Sequence, residues 1–95
     1  MQNVLNFQNY LRNNQIFSQY NLKRVGVFGS FARDEVNAND IDILIEDDID
    51  PNKLIELKAF LENSLHKKVD VVLKKFANPI ILHRAQKDLH YATQH

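Results

Sequence analysis

A chain of 95 residues suits one compact domain, and its 44% hydrophobic and 25% charged residues lie close to globular averages, which excludes global disorder. Twelve basic residues balance twelve acidic ones, which argues against a domain whose main task is to coat nucleic acid, because backbone binding relies on clustered Lys and Arg. Cysteine is absent, which removes disulfides, zinc thiolates and thiol nucleophiles together and leaves the cytoplasm as the default compartment.

Val4, Phe7 and Leu11 recur at three- and four-residue spacing, with Leu5 and Tyr10 beside them, and predict an amphipathic first helix that frays into Asn13 and Asn14. Asn and Gln interrupt this segment every few residues, so it lacks the apolar run of a signal peptide or membrane span. The stretch RVGVF, residues 24–28, predicts a strand with Val25 and Val27 on one face, ended by Gly29 and Ser30. One or two helical turns follow, with Ser30 placed to cap their start. DIDILIE, residues 40–46, alternates, with Asp40, Asp42 and Leu44 facing one way and Ile41, Ile43 and Ile45 the other. Asp50 as N-cap and Pro51 at the first helical position open a helix over 52–65, with Leu54, Leu57, Leu61 and Leu65 as its buried stripe. KVDVVLK, residues 68–74, reads as a third strand, with Val69, Val71 and Leu73 on one face and Asp70 on the other. Asn78 and Pro79 open a last helix whose apolar stripe is Ile81 or Leu82, Ala85 and Leu89.

The order is helix, strand, short helix, strand, helix, strand, helix. It predicts a single α/β (α+β) domain over residues 1–95, with a small mixed sheet of three or at most four strands flanked by helices.

Two acids at i and i+2 on a strand project from one face about 6.6 Å apart and can lean over one divalent cation. Mg²⁺ is held by one or two carboxylates plus substrate phosphates, and a third carboxylate on a neighbouring strand admits a second cation. Asp70 is the natural candidate for that third ligand. Gly29 lets the backbone approach a ligand closely, and Ser30 offers a hydroxyl and exposed N–H groups to phosphate. No P-loop and no dinucleotide fingerprint occurs. A lone D-x-D is most often a solvated strand edge and a lone Gly-Ser most often a turn. Their combination with Asp70 on a third strand points to a metal and phosphate site. His66, His83, His90 and His95 have no metal-ligand spacing and read as surface or helix-end residues, while the aromatics fall mainly at core positions.

Gly29-Ser30-Phe31-Ala32-Arg33, then Asp40-Ile41-Asp42 ten residues after Ser30, then a strand bearing Asp70, resemble the minimal nucleotidyltransferases of the polymerase-beta superfamily, and in particular the antitoxin half of HEPN/MNT toxin–antitoxin pairs. The resemblance implies that Gly29 and Ser30 contact the triphosphate of ATP. It also implies that Asp40, Asp42 and Asp70 bind Mg²⁺, two ions in all, and that Asp70 helps activate the accepting hydroxyl. Arg33 belongs to the same motif, either as a phosphate ligand or as a tie to an acid such as Glu35. The implied reaction transfers AMP to a tyrosine of a HEPN-family toxin, with no direct nucleic acid or membrane partner. A chain this short leaves the metal face open for a partner protein to complete. Asp34 stands where the family usually has Gly, and Asn39 where Ser is common. A negative charge at position 34 would weaken nucleotide binding if it faced the phosphates, which keeps a purely binding antitoxin as an alternative. Transfer to a small molecule or an RNA end is another.

Overall fold

Strand alternation builds one sheet. In the computed structural model, which describes residues 2–95, the strands β1 (Arg24–Phe28), β2 (Asp40–Ile45), β3 (Lys68–Leu73) and β4 (His90–Thr93) lie in the order β3-β2-β1-β4. β1 is antiparallel to both β2 and β4, whereas β2 and β3 are parallel. Parallel neighbours need a crossover, and the helix α4 (Pro51–Leu65) supplies it.

The face carrying Val25, Val27, Ile41, Ile43, Ile45, Val69 and Ala92 is sealed, and none of these side chains is more than 1% exposed. Val4, Phe7 and Leu11 of α1 (Gln2–Asn13), Ile16 and Phe17 of α2 (Ile16–Gln19), and Leu57 and Leu61 of α4 complete this core. Leu54 and Leu65 of the predicted stripe pack at its margin. Each fully buried Val, Leu, Ile or Phe contributes about 1.5–3 kcal/mol, so this face carries most of the stability. Phe7 meets Phe31 edge to face at 6.1 Å, which fastens the four-residue helix α3 (Gly29–Ala32) to α1.

On the opposite face the cover is the helix α5 (Pro79–Gln86), with Ala85 as its buried residue. Here the structure departs from the sequence reading. α5 ends at Gln86, so Leu89 lies beyond the helix, and the chain returns as β4. Leu89 sits over Gly26, where an added Cβ would come within 2.7 Å of Leu89 Cδ1 and 3.1 Å of Leu44 Cβ. Ser30 is likewise displaced from its expected place. The N-cap position is Phe28, and Ser30 lies inside the first turn of α3 because Gly29 already begins the turn. Asp50 occupies the N-cap of α4 as expected, but its side chain makes no capping bond. Asn78 does cap α5, accepting from the Ile80 N–H at 2.8 Å. Among the described residues no helix is long and apolar enough to cross a membrane.

Candidate active site

The register of β2 gathers the acids. Asp42 is paired with Phe28 on β1 and with Asp70 on β3, and neighbouring strands lie about 4.8 Å apart, so the Asp42 and Asp70 side chains project side by side. Asp40, two residues earlier on the same face, is opposite Lys68. All three carboxylates therefore emerge on the side away from the sealed core, as the sequence predicts. Asp40 is exposed, Asp42 half-buried, and the Asp70 side chain 42% exposed. Burial raises the Asp42 carboxyl above its ordinary value, reinforced by the charges of Asp70 and then Asp40, with Arg33 and Lys68 opposing. Lys68 Nζ stays 3.8 Å from Asp70, too far for a hydrogen bond.

An oxygen-only donor set with excess negative charge suits a hard divalent cation. Among the described residues no three His, Asp or Glu side chains are already drawn into a metal cage.

Gly29 connects this acid cluster to the motif turn. Its φ of +77° is in the left-handed region, and a Cβ there would collide with the Asp42 carboxylate. The chain at Gly29 thus runs directly against one of the candidate metal ligands. A cleft of about 320 Å³ opens at this point, toward the small end of the range for small-molecule sites. Phe28, Gly29, Arg33 and Asp42 line it together with Ile81, Arg84, Ala85 and Asp88. Two larger hollows, about 670 and 380 Å³, lie elsewhere and contain none of the motif residues. Ser30 is half-buried in the turn beside Gly29. Arg33 donates from Nε to Glu35 at 2.7 Å and from its terminal nitrogen to Asp88 at 2.6 Å, so it ties α3 to the turn before β4. Sequence reading anticipates the Glu35 contact and misses Asp88, Arg84 and the α5 wall, because no local pattern announces a pair 55 residues apart.

Asp34 does not face this cluster. It occupies the left-handed region at φ +59°, where Gly is the usual residue of the motif and Asp a tolerated one. Its two oxygens accept hydrogen bonds from the N–H groups of Gln2 at 3.0 Å and Asn3 at 2.8 Å. Those are orphan donors of the first turn of α1, so the extra charge serves as a helix cap supplied from a distant segment. Asp34→Ala is expected to lower the melting temperature by a few degrees, because it removes both bonds and keeps a Cβ in the left-handed region. Asp34→Gly loses the bonds but relieves the backbone and should fall less. Thermal melts of the two variants check this order; equal melting temperatures for Asp34→Ala and the wild type would refute the capping role.

An acid-bearing mixed sheet with a glycine turn pressed against its central carboxylate belongs to the nucleotidyltransferase class of folds. Residues 9–90 match the family described as polymerase beta, nucleotidyltransferase, and the chain belongs to that family. It is 38% identical over 81 residues to a Methanocaldococcus jannaschii chain provisionally named a protein adenylyltransferase, covering 81% of this chain and 83% of the relative. The protein adenylyltransferase MntA of Thermococcus cleftensis is 36% identical over 63 residues, covering 63% of this chain and 64% of that one. Among solved structures, a chain of a toxin–antitoxin complex with AMP-PNP superposes with a TM-score of 0.69 at 23% identity, covering 90% of this chain and 71% of that one. A chain of the complex between tri-AMPylated Shewanella oneidensis HEPN toxin and MNT antitoxin gives 0.57 at 23% identity, covering 87% and 70%. At such identities the structural likeness speaks for the fold.

Proposed function

We propose that this chain is a protein adenylyltransferase that transfers AMP from ATP to a tyrosine hydroxyl of a HEPN-type toxin and so acts as its antitoxin. The observation that carries the reading is the register that sets Asp42 beside Asp70 with Gly29 against Asp42. Relatives named as protein adenylyltransferases supply the reaction class, and structural neighbours from toxin–antitoxin complexes supply the kind of partner.

In this reading Gly29 and Ser30 hold the triphosphate, and Arg33 lines the same cleft. Asp40, Asp42 and Asp70 would hold Mg²⁺, which supplies charge neutralisation at the phosphates and lowers the pKa of an attacking hydroxyl. Asp70 helps to accept the proton of that hydroxyl. The new bond joins the acceptor oxygen to the α-phosphorus of ATP, the bond from that phosphorus to the bridging oxygen breaks, and pyrophosphate leaves. Exposure of Asp40 and Asp70 leaves the reacting face open to a protein acceptor.

Incubation with labelled ATP, Mg²⁺ and a HEPN-type toxin should label the toxin, and the Asp40→Ala/Asp42→Ala variant should not. Full labelling by that double variant would overturn the catalytic assignment. Protection from toxicity by the double variant, at equal expression, would favour neutralisation by binding alone. Mass spectrometry of the acceptor distinguishes tyrosine modification from transfer to a small molecule or RNA end.

A further inference from the structure

The cleft beside Asp42 holds two guanidinium groups in different circumstances. Arg33 already satisfies Glu35 and Asp88, so two carboxylates offset its charge. Arg84 lines the same cleft from α5, is exposed, and its guanidinium makes no hydrogen bond or ion pair with any described residue, while its carbonyl accepts from the Lys87 N–H. Its neighbour Ala85 is only 3% exposed, which fixes the backbone of α5 while leaving the Arg84 side chain free to reach. Ile81, Arg84 and Ala85 fall at i, i+3 and i+4 and so share the helix face that forms the wall.

Three carboxylates on the sheet and two more around Arg33 make this a repulsive place for a triphosphate. Bound Mg²⁺ would offset part of that repulsion, and a cation that no carboxylate already neutralises can offset the rest. We propose that Arg84 binds the nucleotide's phosphates from α5, in the cleft that Gly29 also lines. This rests on the adenylyltransferase reading and adds to it a ligand outside the motif. A guanidinium suits the task because its fork of donors matches phosphate oxygens pairwise.

Calorimetric titration with AMP-PNP and Mg²⁺ tests it. Arg84→Ala should weaken binding roughly 10- to 100-fold, as expected for loss of a charge-assisted hydrogen bond. Arg84→Lys should retain part of the affinity, and Arg84→Glu should abolish binding. The salt dependence of binding should also become shallower in Arg84→Ala, a change that a packing role would not produce. Melting temperatures should stay unchanged, since the side chain is exposed. Binding by Arg84→Ala within twofold of the wild type, with the same salt dependence, overturns the inference while leaving the adenylyltransferase reading intact. Failure of the wild type to bind AMP-PNP with Mg²⁺ overturns both.

Discussion

Asp42→Asn should abolish nucleotidyl transfer and at the same time raise the melting temperature of the ligand-free protein. Transfer should drop by roughly three orders of magnitude or more, the upper range for removing a group that stabilises transition-state charge. The stability gain has a separate origin. Burial, then Asp70, then Asp40 raise the folded-state pKa of Asp42 above its ordinary 3.8, so the folded protein holds that proton more tightly than the unfolded chain does. Stability from this group is therefore fully present below pH 3.8 and is lost as the pH rises through the raised folded value. At neutral pH the ionised carboxylate is a net cost, which an isosteric amide removes.

The expected pattern is a crossing. Without ligand, Asp42→Asn melts above the wild type at pH 7, and the gap closes as the pH falls toward 3.8. With AMP-PNP and Mg²⁺ the order reverses, because a ligand at 100 times its Kd stabilises the protein that binds it by about 2.7 kcal/mol. Differential scanning fluorimetry across pH, with and without ligand, measures both halves. A variant that melts below the wild type without ligand at pH 7 would show that Asp42 makes a favourable structural contact.

Much of this site is legible in the sequence because strand periodicity is strict. Asp40 and Asp42 share a face through the two-residue repeat, and the parallel crossover through α4 brings Asp70 into register with Asp42. The buried faces of β1, β2 and β3 follow from the same alternation. β4 escapes because it is four residues long with Ala92 its one fully buried side chain, and because Leu89 falls where a longer helix would place it. α2 escapes for a similar reason, being a single turn entered through Gln15 in the left-handed region. The long-range polar contacts lie beyond any local signal. Asp34 reaches back to Gln2 and Asn3, and Arg33 reaches forward to Asp88, so the meaning of the motif's departures depends on segments some 30 to 55 residues away.

Gly29→Ala should separate the geometric demand of the site from the stability of the fold. The left-handed backbone at φ +77° costs an L-residue about 1–2 kcal/mol, and the new methyl would push directly on the Asp42 carboxylate. Displacing a catalytic group by about 1 Å can cost a hundredfold in rate, so activity should fall by roughly that factor or more even where the variant is fully folded. Gly26→Ala is the matched comparison. Gly26 has no left-handed φ, and its added methyl would press on Leu89 and Leu44, away from the acids. Overpacking there should cost about 1–3 kcal/mol in stability, with activity per folded molecule little changed. Chemical denaturation and transfer assays on both variants decide the point. Comparable activity losses in the two, scaled to folded protein, would mean that contact with Asp42 is not what requires glycine at position 29.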